Sequence, residues 1–220
     1  MSIINLILII KILFIFALLA SIAFCYNTAF KQSRILMNFL YRADSHFNLA
    51  NMFTFGNLTS GLIAIYLTTQ GDFFWAITFL WIGGAFDLFD GKMARKHGLS
   101  NEFGIQLDSY ADFLSFVLTP VFLIYVAVIQ TSDSTVIMAL GSLVSLYYII
   151  SGLRRLIHFN INAEEGEVEE YFTGVPTPFG AIILWFVFLG GVYVFPAFIT
   201  IVLLAITGWL LNSNVKVKHL

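Results

Sequence analysis

Six apolar stretches follow one another along this chain, at about 51–69, 73–93, 104–130, 135–157, 178–194 and 196–212. They approach or reach the roughly 20 apolar residues that a helix needs to cross a bilayer. Turn chemistry separates them, at Gln70-Gly71-Asp72, Thr131-Ser132-Asp133-Ser134, Gly190-Gly191 and Pro196. Strand-like alternation is absent from the stretches, which argues against a membrane barrel. Hydrophobic residues make up 59% of the 220 and charged residues only 11%, against about 25% charged in a soluble domain. The pattern predicts an all-α, polytopic helical membrane protein.

Residues 1–47 precede this array. Ile3 to Phe24 is interrupted only by Asn5, Lys11 and Ser21. The stretch lacks a basic leader, and Phe24-Cys25-Tyr26 is a poor cleavage site, so 1–26 reads as a retained membrane helix. Cys25 has no second cysteine to pair with and reads as apolar packing. Over 27–47, Phe30, Ile35, Leu36, Phe39 and Leu40 interleave with Lys31, Arg34 and Arg42, as in an amphipathic helix lying in the interface; a solvated linker is the alternative. The membrane domain then occupies 48–214. The net charge of −2 and the lack of a basic block give no sign of nucleic-acid binding. If the six spans alternate, Lys31, Arg34, Arg42, Lys92, Arg95, Lys96, Arg154, Arg155, Lys216 and Lys218 all fall on one side. The positive-inside rule makes that side cytoplasmic, and the loops with Asp72 and Asp133 face away from it.

Four acids stand where apolar sequence is expected: Asp87 and Asp90 in one span, Asp108 and Asp112 in the next. Each costs about 2.5–3.5 kcal/mol at the centre of a membrane helix, so the four need a compensating partner. Spacings of three and four put each pair on one face of its helix. With a turn between the helices, the pairs can converge on one or two hard divalent cations, such as Mg, Mn or Ca. Gly91, Gly104 and Ala94 leave room for a bulky ligand, and Arg95 offers a planar fork for phosphate oxygens. Such a site suits a lipid-linked diphosphate. Asp112, last in the series, is the best candidate for a general base toward an incoming alcohol. The alternatives are helix–helix hydrogen bonding or an ion pathway, as in an ion-coupled transporter.

Written out, the acids form DxxDGxxARx(8)GxxxDxxxD, with Asp87, Asp90, Gly91, Ala94, Arg95, Gly104, Asp108 and Asp112 at the fixed positions. This resembles the signature of the CDP-alcohol phosphotransferases. The resemblance implies a six-helix membrane domain, usually dimeric, with two divalent metals (Mg or Mn) held by the four aspartates. It further implies attack by an alcohol on the β-phosphate of a CDP-linked lipid, with release of CMP. Carried over, Asp87, Asp90 and Asp108 are metal ligands and Asp112 is both ligand and base. Gly91, Ala94, Arg95 and Gly104, with Asp87 and Asp108, would line the CDP-lipid pocket.

The rest of the chain bears on the acceptor. Asn51, Thr54, Asn57 and Gly61 form NxxTxxNxxxG in the first span. Their polar face is expected at the site, with Thr54 and Asn57 toward the CDP-lipid; helix–helix hydrogen bonding is the alternative. GLRRLIHFN (152–160), YFTGVPTPFG (171–180) and the SFVLTP stretch after Asp112 are similar to the bacterial and archaeal phosphatidylserine synthases. The expected acceptor is therefore L-serine, its carboxylate held by Arg155, or by the neighbouring Arg154, with Asn160 nearby. The expected donor is CDP-diacylglycerol or its archaeal ether-lipid analogue. His158 stands where that subfamily commonly has an arginine, and the first membrane helix lies outside the usual six. The acidic run Glu164 to Glu170 reads as a solvated loop. Glycerol phosphate or inositol phosphate is the alternative acceptor.

Overall fold

The computed structural model describes residues 40–164, 171–213 and 216–218. The expected membrane helix over 1–26 lies outside the described residues, as does most of the acidic run. Of the amphipathic stretch, only 40–47 is described, and 41–47 is a series of turns. Within it Arg42 and Asp44 pair at 2.6 Å. The hydrogen bond from Arg42 holds the Asp44 carboxyl below its usual range, but so exposed a pair adds little stability.

Six helices follow among the described residues: α1 (Leu49–Thr69), α2 (Phe73–His97), α3 (Glu102–Ile129), α4 (Thr135–Glu164), α5 (Thr177–Tyr193) and α6 (Ala197–Leu211). They coincide with the six apolar stretches, and the protein is a helical polytopic one. Phe73–His97, Glu102–Ile129 and Thr135–Ile161 are long and apolar enough to cross a membrane. Helices α5 and α6 are apolar but shorter, at 17 and 15 residues. Helix α1 has 21 residues but is diluted by Asn51, Thr54, Asn57, Thr59 and Ser60. A short antiparallel ribbon joins β1 (Tyr171–Thr173) to β2 (Lys216–Lys218), with Phe172 opposite Val217.

The helices overrun their apolar stretches on the basic side. Helix α2 continues through Lys92 and Arg95 to His97, where cationic side chains complement the carboxyl end of the helix dipole. Gly98 ends it in the left-handed conformation, φ 63°, which a glycine adopts without penalty. The turn between the two aspartate helices is therefore only Gly98 to Asn101, and Arg95 is a helical residue. One expected break is corrected: Gly190-Gly191 lies inside α5, which runs to Tyr193. These glycines give close packing instead, Gly190 against the Phe195 ring and Gly191 against Thr200 and Val128.

Helix α3 is the most enclosed of the three long helices. Its Val117, Ile124 and Ile129 meet Tyr148 of α4, Leu184 of α5, and Leu204 and Leu211 of α6 in one buried cluster. Large apolar side chains also cover the outside, among them Phe74, Leu143, Phe186 and Trp209, as a lipid-facing surface requires. Just after Asp112, α3 widens into a π-helical turn over Phe113–Leu118, and again over Tyr125–Ile129. Pro120 supplies a reason for the first: it lacks the N–H that would continue the ladder, and its ring crowds the preceding turn. The Thr119 hydroxyl donates to the Leu114 carbonyl at 2.7 Å, which satisfies part of the widened turn.

Candidate active site and metal centre

Helices α1, α2 and α3 bring the acids together at the end of the bundle that carries the basic residues. Asp87, Asp90 and Asp108 each present a carboxylate oxygen, and these oxygens lie within 4.8 Å of one another. Asp112, one turn further along α3, stands beside the trio, next to Asp87. Thr54 of α1 lies beside Asp90, its hydroxyl donating to the Ala50 carbonyl at 3.3 Å. The spacings deliver this directly, because residues three and four apart share a helix face.

Asp90 is only 6% exposed. One oxygen each of Asp90, Asp108 and Asp112 is buried with no hydrogen-bond partner. A buried carboxylate oxygen without a donor is costly, and no Lys or Arg pairs with these acids among the recorded ion pairs of the described residues. A cluster of hard oxygen donors with unmet lone pairs fits a divalent cation such as Mg or Mn. The residues present thus suit the metal that the aspartate spacing led us to expect.

Two cavities meet at this cluster. A polar pocket of about 160 Å³ opens above it, lined by Asn51 and Thr54 of α1, by Asp90, Gly91, Ala94 and Arg95 of α2, by Leu99 to Asn101 of the turn, and by Gly104 and Asp108 of α3. The small residues have visible uses. A side chain at Gly104 would collide with Asn51 Oδ1, and one at Gly91 would meet the Arg95 guanidinium at 3.3 Å. The second cavity is an apolar groove of about 320 Å³ between α2, α3 and α5. Leu80, Trp81 and Leu88 face Phe116 and Pro120 on one side and Ile182 and Trp185 on the other, and Asp87 and Ser115 supply polar atoms along its wall. Trp81 and Trp185 make an edge contact at 5.5 Å.

The structure brings some of the residues expected at the site together and leaves others apart. Gly91, Ala94, Arg95, Gly104, Asp108 and Thr54 line the polar pocket together. Asn57 is not among them. Three residues on from Thr54 it sits about 4.5 Å deeper along α1 and is rotated off the pocket face. It is fully buried, close to Gly83 and with Ser115 donating to its carbonyl at 3.3 Å. Arg155 is buried at 7% exposure, whereas Arg154 faces outward. Asn160 donates to the hydroxyl of Ser109 at 2.8 Å, which fastens α4 beside Asp108. His158 is exposed.

Asn48 carries no expectation from the sequence, Asn101 only that of a turn residue between the aspartate helices, and Ser109 none. The first two were findable as helix N-caps, each a short polar residue directly before an apolar helix. Ser109 gave no local signal, since its partner lies 51 residues away.

The CDP-alcohol phosphatidyltransferase family model matches residues 47–212. Among curated relatives, CDP-diacylglycerol–serine O-phosphatidyltransferase of Bacillus subtilis is 35% identical over 133 residues, 60% of this chain and 71% of that protein. The Methanocaldococcus jannaschii protein of the same name is 30% identical over 136 residues, 62% of this chain and 58% of the relative. Archaetidylserine synthase of Methanothermobacter thermautotrophicus is 31% identical over 154 residues, 69% and 62% respectively. The chain thus spans about three fifths of the length of these two archaeal relatives. With the aspartate signature, the pocket around it and a family match running from the turn before α1 to the end of α6, this chain belongs to the CDP-alcohol phosphatidyltransferase family.

Proposed function

We propose that the protein is an integral membrane phosphatidylserine synthase. It transfers the phosphatidyl group of CDP-diacylglycerol, or the archaetidyl group of the ether-lipid analogue, to the hydroxyl of L-serine and releases CMP. The observation that carries this reading is the junction of the two cavities. The polar pocket with Arg95 suits a cytidine diphosphate, the apolar groove suits the lipid tail, and the aspartates stand between them. The similarity to serine-using relatives supports the acceptor.

Asp87, Asp90, Asp108 and Asp112 hold one or two divalent cations, Mg or Mn, which when bound neutralise the diphosphate and stabilise its developing charge. Gly91, Ala94, Gly104 and Thr54 shape the nucleotide pocket, and Arg95 binds phosphate oxygens. Asp112 accepts the proton of the serine hydroxyl. The hydroxyl oxygen then bonds to the β-phosphorus of the donor, and the bond from that phosphorus to the oxygen of the departing CMP breaks. Arg155 receives the serine carboxylate; a buried guanidinium is better suited to this than the outward Arg154. The enzyme works as a homodimer in the cell membrane, with the site open to the cytoplasm.

The test is CMP release from CDP-diacylglycerol in membrane vesicles of defined orientation. Inverted vesicles should release CMP into the outer medium when L-serine is added, and right-side-out vesicles should not. Glycerol phosphate or inositol phosphate outcompeting serine would overturn the acceptor, and ion transport without CMP release would overturn the enzyme.

A further inference from the structure

The helix starts on either side of the polar pocket are fastened to each other by two asparagines with reciprocal roles. Asn48 caps α1, its Oδ1 accepting the Asn51 N–H at 2.9 Å. Its Nδ2 reaches across to donate to the Leu99 carbonyl, also at 2.9 Å. Asn101 caps α3, its Oδ1 accepting the Gly104 N–H at 2.7 Å. Its Nδ2 donates back to the Ala43 and Ser45 carbonyls at 2.6 and 3.1 Å. Leu99 belongs to the turn that leads into α3, and Ala43 and Ser45 belong to the turn that leads into α1. Each side chain therefore caps its own helix and grips the approach to the other.

Helix capping alone does not require asparagine here. Serine and aspartate cap about as well, but neither places an N–H₂ donor beyond the capping oxygen. Asn48 is fully buried and Leu99 nearly so, so neither group of that bond can fall back on water, and its loss is felt in full. Two ring contacts close the same seam: His46 stacks on Phe103 at 4.4 Å, and Tyr41 meets His97 edge-on at 4.9 Å.

The clasp lies where it can set the shape of the site. Leu99, Asn101 and Gly104 line the polar pocket. The two helices it joins bring Thr54 and Asp108 close to Asp90. We propose that Asn48 and Asn101 are positioning residues that fix the width of the nucleotide end of the pocket, and so the affinity for the CDP-lipid, without touching the reacting atoms. The inference rests on the reading of that pocket as the donor site.

The substitutions Asn48→Ser and Asn101→Ser keep a neutral cap and remove the cross-grip. With the full chain in lipid nanodiscs and Mn²⁺ present, CDP-diacylglycerol binding is measured by calorimetry, alongside KM for donor and acceptor and kcat. One lost hydrogen bond corresponds to roughly a three- to tenfold change in a binding constant. Each variant should weaken donor binding and raise the donor KM by about that factor. Asn48→Ser should do so by more, because the Leu99 carbonyl it releases is buried, whereas water can replace the donor at the Ala43 and Ser45 carbonyls. The serine KM and kcat should stay within about twofold. Unchanged donor affinity in both variants would overturn the clasp, as would an equal loss across donor KM, serine KM and kcat, the mark of general destabilisation. Should Asn48→Ser not accumulate in the membrane, Asn101→Ser, at a partly exposed position, carries the same comparison. A parent protein that binds no CDP-lipid would instead refute the donor-site reading itself.

Discussion

Helices α1 to α3 and helices α4 to α6 both bury polar atoms without hydrogen-bond partners, and they do so in opposite ways. In the first half most of these atoms belong to one cluster: oxygens of Asp90 and Asp108, with Asp112 one turn further along α3 and Asn57 deeper on α1. In the second half they are scattered, with the Ser145 hydroxyl, the Tyr148 hydroxyl and the Thr200 hydroxyl set along an apolar core. An isolated buried hydroxyl costs about 1–3 kcal/mol and has no second group with which to bind anything. Several unmet acceptors of one charge sign, held together on two neighbouring helices, have no explanation in packing. Convergence marks the site, and burial of a polar atom by itself does not.

The largest expected effect tests that convergence. Alanine at Asp87, Asp90 or Asp108 should abolish CMP release, and excess chelator should do the same to the parent enzyme. Full activity in chelator would reduce the cluster to a structural feature and erase the contrast between the halves.

Asp112 gives the next effect. Asp112→Asn should lower turnover by about 10²–10⁴-fold, the usual worth of a general base, while CDP-lipid binding is largely retained. Turnover near the parent rate would remove the base assignment, and loss of donor binding would make Asp112 a metal ligand alone.

The smallest expected effect falls in the second half and sharpens the comparison. Arg155→Lys keeps the charge but loses the planar fork. The serine KM should rise by about tenfold with the donor KM unchanged, and Arg154→Ala should behave like the parent. An unaltered serine KM in Arg155→Ala would leave α4 to α6 without an acceptor contact.

This division also explains what could be read from the sequence. The six helices were legible because apolar length and turn residues are local properties, and each stretch carries its own evidence. The aspartate cluster was legible because its residues lie within 26 consecutive positions on two helices, where periodicity alone fixes which residues share a face. The π-helical turn after Asp112 was not legible: Pro120 signals a disturbance but does not say whether the ladder kinks or widens, and the turn's Val117 packs against Gly152 on another helix. Asn57 lies deeper than the lining of the polar pocket, and a polar stripe on one helix does not say where the neighbouring helices divide it. The bond between Asn160 and Ser109 spans 51 residues, and nothing local to either residue announces it.

Asp87 stands on the wall of the apolar groove, while Asp90 and Asp108 open on the polar pocket. On the proposed reading, the bond that breaks lies on the boundary between two phases. The nucleotide fragment departs into water, and the new phospholipid slides sideways into the bilayer without crossing the other product's exit. Because neither product has to wait for the other, retention of CMP should obstruct entry of the next donor headgroup while leaving the finished lipid free to diffuse away.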